Sequence, residues 1–323
     1  MDAIQAIGQV GEVLVGLLTK TDQRLHIGYL CTALLIACWV YRRNPSKRGF
    51  FGTMFNRKIW WSNSARLDYK LVLFNGLIKV LFLTQFVTYG LHLAYVTSDF
   101  LTASFGPTGA STHTTVWLIA YTVTITVVGD LSVYWVHRAM HRVPALWAFH
   151  SVHHSATTLS PATQLRIHPV ELVINNGRAI VMFGLITGSF HHAANGQIEL
   201  LTLFGANALN VLFFAFGANL RHSHVRLGYW KPLEKIFISP LQHQIHHSTA
   251  PEHHNRNFGS KFAIWDLVAG TWTPSQGVTS LDYGLGHKES HQQTLSSALL
   301  HPITVHLKMP PSLERKNSAS KPA

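Results

Sequence analysis

The chain has 323 residues, enough for one large domain or two small ones. Apolar residues make up 47% of it and charged residues only 12%, about half the charged share of a typical soluble protein. A net charge of +12 would suit nucleic acid, but the Lys and Arg residues adjoin apolar segments, which is typical of a membrane surface. The composition therefore favours an integral membrane protein and argues against a nucleic-acid-binding one.

The N-terminal part of the chain contains little that suggests chemistry. Residues 1–26 are predicted to form an interfacial segment with a modestly amphipathic helix, and they show no secretory signal. Cys31 and Cys38 follow within one apolar segment, about two helical turns apart, which is too far for a disulfide bond in a helix. We interpret both cysteines as side chains of the membrane core.

Long apolar segments indicate about four to five membrane spans, at residues 27–41, 71–96, 114–136, 172–190 and 198–220. The connections at 97–113 and 191–197 lack Lys and Arg, whereas basic residues such as Arg42, Arg43 and Arg221 adjoin the opposite ends. The positive-inside rule places those opposite ends at the cytoplasm. The sequence thus predicts an all-α, integral membrane helical bundle with a cytosolic helical cap that carries the histidine cluster.

The chain divides into three predicted parts. The segment 1–26 precedes a membrane domain at 27–275, and residues 276–323 form a C-terminal tail whose end has a disordered composition. A glycine-rich phosphate loop and a dinucleotide-binding fingerprint are both absent from the sequence. Any catalytic or binding site is therefore expected to rest on another kind of motif.

Histidine, with 22 residues, supplies that motif. A pair spaced as HxxxH follows the third apolar segment, and two blocks spaced as HxxHH follow at 150–154 and 243–247. Side chains at i, i+3 and i+4 share one face of a helix, so three short helices could present these imidazoles to one volume. Imidazole binds Zn, Cu and Fe, and one zinc ion takes about four ligands, so this many histidines imply two metals. The predicted ligands are His137, His141, His150, His153, His154, His222, His243, His246 and His247.

Other polar residues near these motifs have less definite roles. His168 and His224 are further candidate ligands, and the sequence leaves the role of each open. His191 and His192 fall on the opposite side of the predicted membrane and are not expected to be ligands. Asp130 lies seven residues before His137, on roughly the same helical face of an apolar span. We expect its carboxylate to accept a hydrogen bond from a ligand imidazole and so fix its tautomer.

These residues together resemble the fatty acid hydroxylase / sterol desaturase superfamily of integral membrane enzymes. The resemblance extends over about residues 40–275 and includes the three histidine motifs, the 166–171 segment (Arg-Ile-His-Pro-Val-Glu) and the Trp265-Asp266 pair. One departure is His224, where many relatives have Asn. The resemblance implies a cytosol-facing di-iron centre, O2 as oxidant and a lipid substrate that enters from the bilayer.

The sequence therefore predicts a membrane-bound di-iron oxygenase that hydroxylates or desaturates a sterol, a fatty acyl chain or a related lipid. No flavin, haem or nicotinamide motif is visible, so electrons are expected from a separate reductase system. The alternative is a histidine-lined metal or proton transporter, which should carry ionisable residues through the depth of the bilayer. A bis-histidine haem protein and a zinc hydrolase fit the clustered histidines less well. A bacterial inner membrane and the endoplasmic reticulum are both compatible with the sequence.

Overall fold

The computed structural model describes residues 3–83, 86–109, 114–196, 208–286 and 293–308. The helices of the first half are α1 (Ala3–Thr19), α2 (Ile27–Arg43), α3 (Gly49–Met54), α4 (Arg57–Trp60), α5 (Asn63–Ile78), α6 (Phe86–Phe105) and α7 (Thr114–Arg142). Those of the second half are α8 (Pro144–His154), α9 (Pro169–Ala193), α10 (Ala208–Ala215), α11 (Lys231–Glu234), α12 (Pro240–His246), α13 (Ile264–Val268) and α14 (Leu295–Lys308).

Helical turns complete this architecture. A π-helical turn follows α5 at Lys79–Leu83, and 3-10 turns lie at Pro161–Leu165, Ala218–Leu220 and Pro251–His253. Across the described ranges, β structure is limited to two isolated bridges, Phe237 to Phe262 and Ser248 to Tyr283. The prediction of an all-α protein is confirmed.

Helices α7 and α9 are long and apolar enough to cross a membrane. Helix α9 packs closely along α6 because it presents two glycines four residues apart. A Cβ atom at Gly184 would collide with Leu93, and one at Gly188 would collide with the carbonyl oxygen of Ala94. Small residues at this spacing let two helices approach closely where lipid supplies no hydrophobic driving force. The three helices α6, α7 and α9 form the apolar half of the fold.

The predicted count of four to five spans is not established by this structure. In the described residues, only α7 and α9 pass the test of length and hydropathy for a span. The apolar segment 71–96 is divided by the π-helical turn, so α6 begins at Phe86 and extends to Phe105. Residues 197–207 of the predicted span 198–220 lie outside the described residues, and α10 covers Ala208–Ala215. The two apolar helices suggest membrane association, and the number of spans stays a prediction.

The first and last described helices, α1 and α14, both pack on the rest of the fold. Helix α1 lies against α5, where the side chains of Val10 and Leu14 approach Gly76. The predicted tail 276–323 contains α14, whose Ala298 is buried in a hydrophobic cluster with Leu67 and Val152. Helix α14 thus buries apolar side chains of the predicted tail against α5 and α8, and the predicted division at residue 275 stays a prediction. The predicted disordered end, residues 309–323, lies outside the described residues.

Candidate metal centre

The local sequence fixes the start of both short helices that carry the HxxHH blocks. Helix α8 begins with Pro144 at its first position, where a missing N–H costs nothing. Helix α12 begins at a capping box, in which the Ser239 hydroxyl accepts from the Gln242 backbone N–H and the Gln242 side chain accepts from the Ser239 N–H. The first histidine of α12, His243, therefore lies one turn after the capped N-terminus of the helix.

All nine predicted ligands come together in two groups. Within each group, the ligand atoms lie within 4.8 Å of one another. The first cluster is formed by His137, His141, His150, His154 and His246, and the second cluster by His153, His222, His243 and His247. The two clusters are adjacent, because the rings of His154 and His247 stack at a centroid distance of 4.4 Å. A metal role for these residues remains a prediction, but their convergence is a feature of the fold.

Each HxxHH block contributes to both clusters. His150 and His154 of α8 join the first cluster while His153 joins the second. In α12 the assignment is reversed, because the middle histidine, His246, joins the first cluster and the outer two join the second. The two blocks thus interlock, and neither cluster forms unless α8 and α12 pack against each other.

Four imidazoles have their Nδ1 atom held by a group outside the clusters. The Nδ1 of His137 lies 2.8 Å from the carbonyl oxygen of Phe258, and that of His246 lies 2.8 Å from the carbonyl oxygen of Arg256. The Nδ1 of His153 lies 3.2 Å from the carbonyl oxygen of Arg166. For His150 the partner is the Glu171 carboxylate, at 3.0 Å. An acceptor at Nδ1 fixes the proton there and leaves the lone pair of Nε2 available to a metal.

The remaining ring nitrogens fit a metal site. Within the described ranges, the Nε2 atoms of His141, His150, His154 and His246 are buried without a hydrogen-bond partner. In the second cluster, the Nε2 of His222 lies 3.1–3.2 Å from the Nε2 atoms of the other three histidines. Such spacing matches nitrogens arranged around a common ion at about 2 Å from each. Unpartnered buried nitrogens cost free energy, and a bound cation would remove that cost.

Burial keeps these imidazoles neutral. It lowers the pKa of His150 and of His153 to about 3, with the neighbouring His150 ring lowering that of His153 further. Burial, together with neighbouring imidazoles, also lowers the pKa well below 6.5 in His154, His222, His243, His246 and His247. Neutral imidazole is the form that binds metals, so the set is ready for ligation at physiological pH.

In the described part of the chain Asp130 accepts no hydrogen bond from an imidazole, contrary to the prediction. Its fully buried carboxylate accepts from the backbone N–H groups of Lys261 and Phe262 and from the Trp265 indole, at 2.9–3.1 Å. The same loop contains Phe258, whose carbonyl oxygen contacts His137. Asp130 therefore supports the cluster one step further out, because the 258–265 loop lies between its carboxylate and the histidines.

The less definite candidates lie outside both clusters. His168 caps α9, where its Nδ1 accepts from the Val170 N–H and its Nε2 lies 3.1 Å from the carbonyl oxygen of Leu299. His224 lines an apolar cavity, and its Nε2 is buried without a partner. His191 pairs with Ser98 at the far end of α9, as expected for a residue remote from the site.

Sequence reasoning missed the groups that hold the histidines in place. Glu171 and Arg166 were visible only as parts of a family motif. Arg166 is fully buried, pairs with Asp68 at 2.9 Å and donates to the Val152 carbonyl oxygen, which fixes α8. Gln244 donates to the carbonyl oxygens of Leu220, Ser223 and Val225, and so holds the segment that carries His222. A polar residue inside a histidine block was the one available signal for Gln244.

Fold and site together define a helical protein with two long apolar helices that suggest membrane association and with two adjacent histidine clusters that could hold metal. Residues 122–271 match the fatty acid hydroxylase family model, and all nine clustered histidines fall within them. This part of the chain is a fatty acid hydroxylase domain, and the family predicted from the histidine motifs is confirmed.

Individual relatives are lipid-modifying enzymes by name. The ornithine lipid hydroxylase OlsE of Rhizobium tropici is 34% identical over 53% of this chain and 48% of its own length. Alkylglycerol monooxygenases of Danio rerio and Homo sapiens are 30% and 28% identical, over 53% and 49% of this chain and 34% and 31% of their own. The chain thus spans half or less of the length of these relatives. No solved structure matches the chain.

Proposed function

We propose that the protein is a membrane-bound di-iron oxygenase that hydroxylates a lipid with O2 and external electrons. The observation that carries the proposal is the pair of adjacent histidine clusters within a fatty acid hydroxylase domain. Imidazole alone would suit zinc, copper or iron, and the family supports iron. The names of the relatives, hydroxylases and monooxygenases, favour hydroxylation over desaturation.

The chain's own residues would hold the metals and exclude water. When bound, two irons would supply the activation of O2 and the oxidation of an unactivated C–H bond. The Glu171 carboxylate and the carbonyl oxygens of Phe258, Arg166 and Arg256 keep four imidazoles in the tautomer that ligates through Nε2. The four histidines of the second cluster are all buried, so bulk water is excluded from that side.

A mostly apolar cavity of about 270 Å³ supports a lipid substrate. It lies between α2, the α3–α4 region and residues 219–225, and it opens outward beside the exposed Ile27 and Phe55. Leu220 and Ser223 line the cavity on either side of His222 in sequence, so the cavity and the second cluster share a wall. We propose that this cavity binds the apolar part of the substrate.

The proposal extends to location and partners. His137 and His141 share the end of α7 with Arg138 and Arg142, so the positive-inside rule supports a centre at the cytoplasmic face. Inserting one atom of O2 and reducing the other to water consumes two electrons, which a separate reductase would supply. The transporter alternative gains no support, because the nine imidazoles form two compact clusters and not a path through the bilayer.

Iron content and oxygen incorporation together test the proposal. The full chain, purified from membranes grown with iron, should hold about two irons per chain, as expected for nine histidine ligands. Incubation with a lipid extract, an electron donor and isotopically labelled O2 should place the label in a lipid. His254→Ala, at an exposed histidine near α12, should behave as the wild type, whereas His141→Ala should incorporate no label. Less than one iron per chain, or unlabelled lipid with full iron content, would refute the proposal.

A further inference from the structure

Four basic side chains converge beside the second histidine cluster from four separate segments. Arg24 precedes α2, Arg178 lies in α9, Arg221 directly precedes His222, and Lys261 lies in the loop before α13. We call these four residues the basic cluster. Their convergence is a product of the tertiary structure, because nearly 240 residues of sequence separate the first from the last.

Two aromatic rings of α10 bring three of these cations together. The guanidinium carbon of Arg221 lies 4.7 Å from the ring centroid of Phe213, and the Lys261 Nζ lies 5.7 Å from the same centroid. The guanidinium carbon of Arg24 lies 5.8 Å from the ring of the next residue, Phe214. Cations near aromatic faces gain some stabilisation, but the rings carry no negative charge to neutralise them.

Asp130 is the one carboxylate that the described part of the chain brings to the basic cluster. It lies 3.8 Å from the Lys261 Nζ and acts electrostatically on Arg24, Arg178 and Arg221. Its oxygens are already engaged by two backbone N–H groups and the Trp265 indole. Four cations therefore share one carboxylate whose acceptor capacity is largely used.

The cations are also poor in hydrogen-bond acceptors. Arg221 is 2% exposed, yet within the described residues its guanidinium donates one hydrogen bond, to the Ile238 carbonyl oxygen at 3.2 Å. A guanidinium has five N–H donors. Arg178 donates to the Ser132 hydroxyl, and its Nε is buried without a partner among the residues that the structure describes. Donors that are buried and unpaired cost free energy unless a ligand supplies the acceptor.

The charges of the basic cluster also favour the binding of an anion. Burial lowers the pKa of Lys261; Asp130 opposes that change, and the charges of Arg24, Arg221 and Arg178 lower the pKa further. Burial also lowers the pKa of Arg24 to about 10. These groups repel one another inside the fold, and a bound anion would relieve that repulsion.

We propose that the basic cluster binds an oxyanion, a phosphate or carboxylate, next to the second histidine cluster. Arginine pairs with such groups through two parallel hydrogen bonds, and two or more of the donors described above are available for this. The neighbouring surface is apolar, with Leu212 of α10 exposed at 52% and Phe216, directly after α10, at 68%, so an anion attached to an alkyl chain fits better than a free one. The role of this site in binding a lipid substrate rests on the proposed function. The binding of an oxyanion does not, because it is measured without turnover.

Binding of matched amphiphiles to the intact, iron-loaded protein in a neutral detergent tests the proposal. The ligands are dodecyl phosphate, dodecanol and inorganic phosphate, and the readout is the shift of the thermal unfolding midpoint with ligand concentration. Dodecyl phosphate should raise the midpoint and dodecanol should not. Weaker binding of inorganic phosphate would identify a lipid headgroup as the ligand, and equal binding would identify a free oxyanion. Equal effects of dodecyl phosphate and dodecanol would overturn the proposal.

Three variants locate the site. Arg24→Gln and Lys261→Gln change side chains that are not fully buried, and each should weaken dodecyl phosphate binding at least tenfold. The backbone oxygen of Arg24, which accepts from Asn219, is unaffected by the first change. Arg226→Gln, at an exposed arginine a few residues after Arg221, is the matched control and should bind as the wild type does. Wild-type affinity in both Arg24→Gln and Lys261→Gln would overturn the proposal.

A second readout covers the case of altered folding. Without amphiphile or phosphate, Arg24→Gln should raise the unfolding midpoint, because it removes a charge from a repulsive cluster, and Arg226→Gln should leave it unchanged. A lowered midpoint for Arg24→Gln in that buffer would contradict the proposal. Iron content is measured on the same samples, so a protein that binds dodecyl phosphate but no iron would refute the proposed function and leave the oxyanion site standing.

Discussion

The two histidine clusters are similar in composition and are built in different ways. In the first cluster, His137 and His141 are half-buried, and three Nδ1 atoms are held from outside by two carbonyl oxygens and Glu171. In the second, all four histidines are buried and their Nε2 atoms meet around His222. The first cluster therefore depends on its supporting groups, whereas the second depends on the packing of the 220–225 segment against α12.

The largest effects on bound iron and on turnover should come from removing one imidazole, from either the first or the second cluster. We expect His141→Ala and His243→Ala each to lose about half of the bound iron and all measurable turnover, because the two metals must act together. Iron per chain and labelled-oxygen incorporation are the measurements. His254→Ala is the control, since His254 is exposed and lies outside both clusters. Loss of all iron in both variants would mean that the clusters do not bind metal independently.

The second largest effect should come from substitution of Glu171, which we expect to weaken iron binding at the first cluster and not at the second. Glu171→Ala removes the acceptor for the His150 Nδ1, and we expect iron affinity of the first cluster to fall by about 10–100-fold with the second unchanged. Glu171→Gln keeps a carbonyl acceptor and should recover part of that loss. Iron retained during dialysis against a graded series of chelator concentrations gives both affinities. An equal loss from the two sites would refute the assignment of Glu171 to the first cluster.

The stability of the metal-free protein should depend on pH through both clusters. His150 and His153 have folded pKa values of about 3, whereas the unfolded chain protonates near 6.5. The unfolded state thus binds more protons between these values, so the contribution is full above about pH 6.5 and falls by up to about 1.4 kcal/mol per pH unit for each imidazole.

The urea midpoint of metal-free protein, followed as the pH is lowered from neutral, measures this dependence. His153→Gln should reduce the slope by one titrating group, and His254→Gln should not. A midpoint that does not change with pH would contradict the burial of these rings.

The smallest effect should come from the apolar cavity beside the second cluster. Ala37→Phe places a ring where the side chain of Ala37, 2% exposed, faces the cavity on α2. We expect KM for the lipid to rise about fivefold, with iron content unchanged, because roughly 1 kcal/mol of apolar contact is lost. Leu35→Phe is the matched control, since Leu35 is 71% exposed on the same helix and does not line the cavity. An unchanged KM would remove the cavity from the substrate path.

The helical spacing of the histidines is what made part of the site predictable from the sequence. The spacing of His150, His153 and His154 puts them on one helical turn, so the histidine blocks were visible without tertiary information. The same periodicity misled in the case of Asp130, because a shared helical face does not reveal that the 258–265 loop intervenes. The packing of α14 was not predicted, since that helix is recognisable only by the apolar surface it covers.

The sequence by itself determined the helical class and the histidine motifs, because these depend on composition and on spacing within single helices, and the family followed from the resemblance that those motifs carry. Only the tertiary structure decided how the histidines divide into two clusters, since that follows from the packing of α8 against α12. It also decided which groups hold the rings, and it brought Arg24, Arg178, Arg221 and Lys261 together. Contacts between distant segments depend on how helices pack, and no single stretch of sequence records that packing.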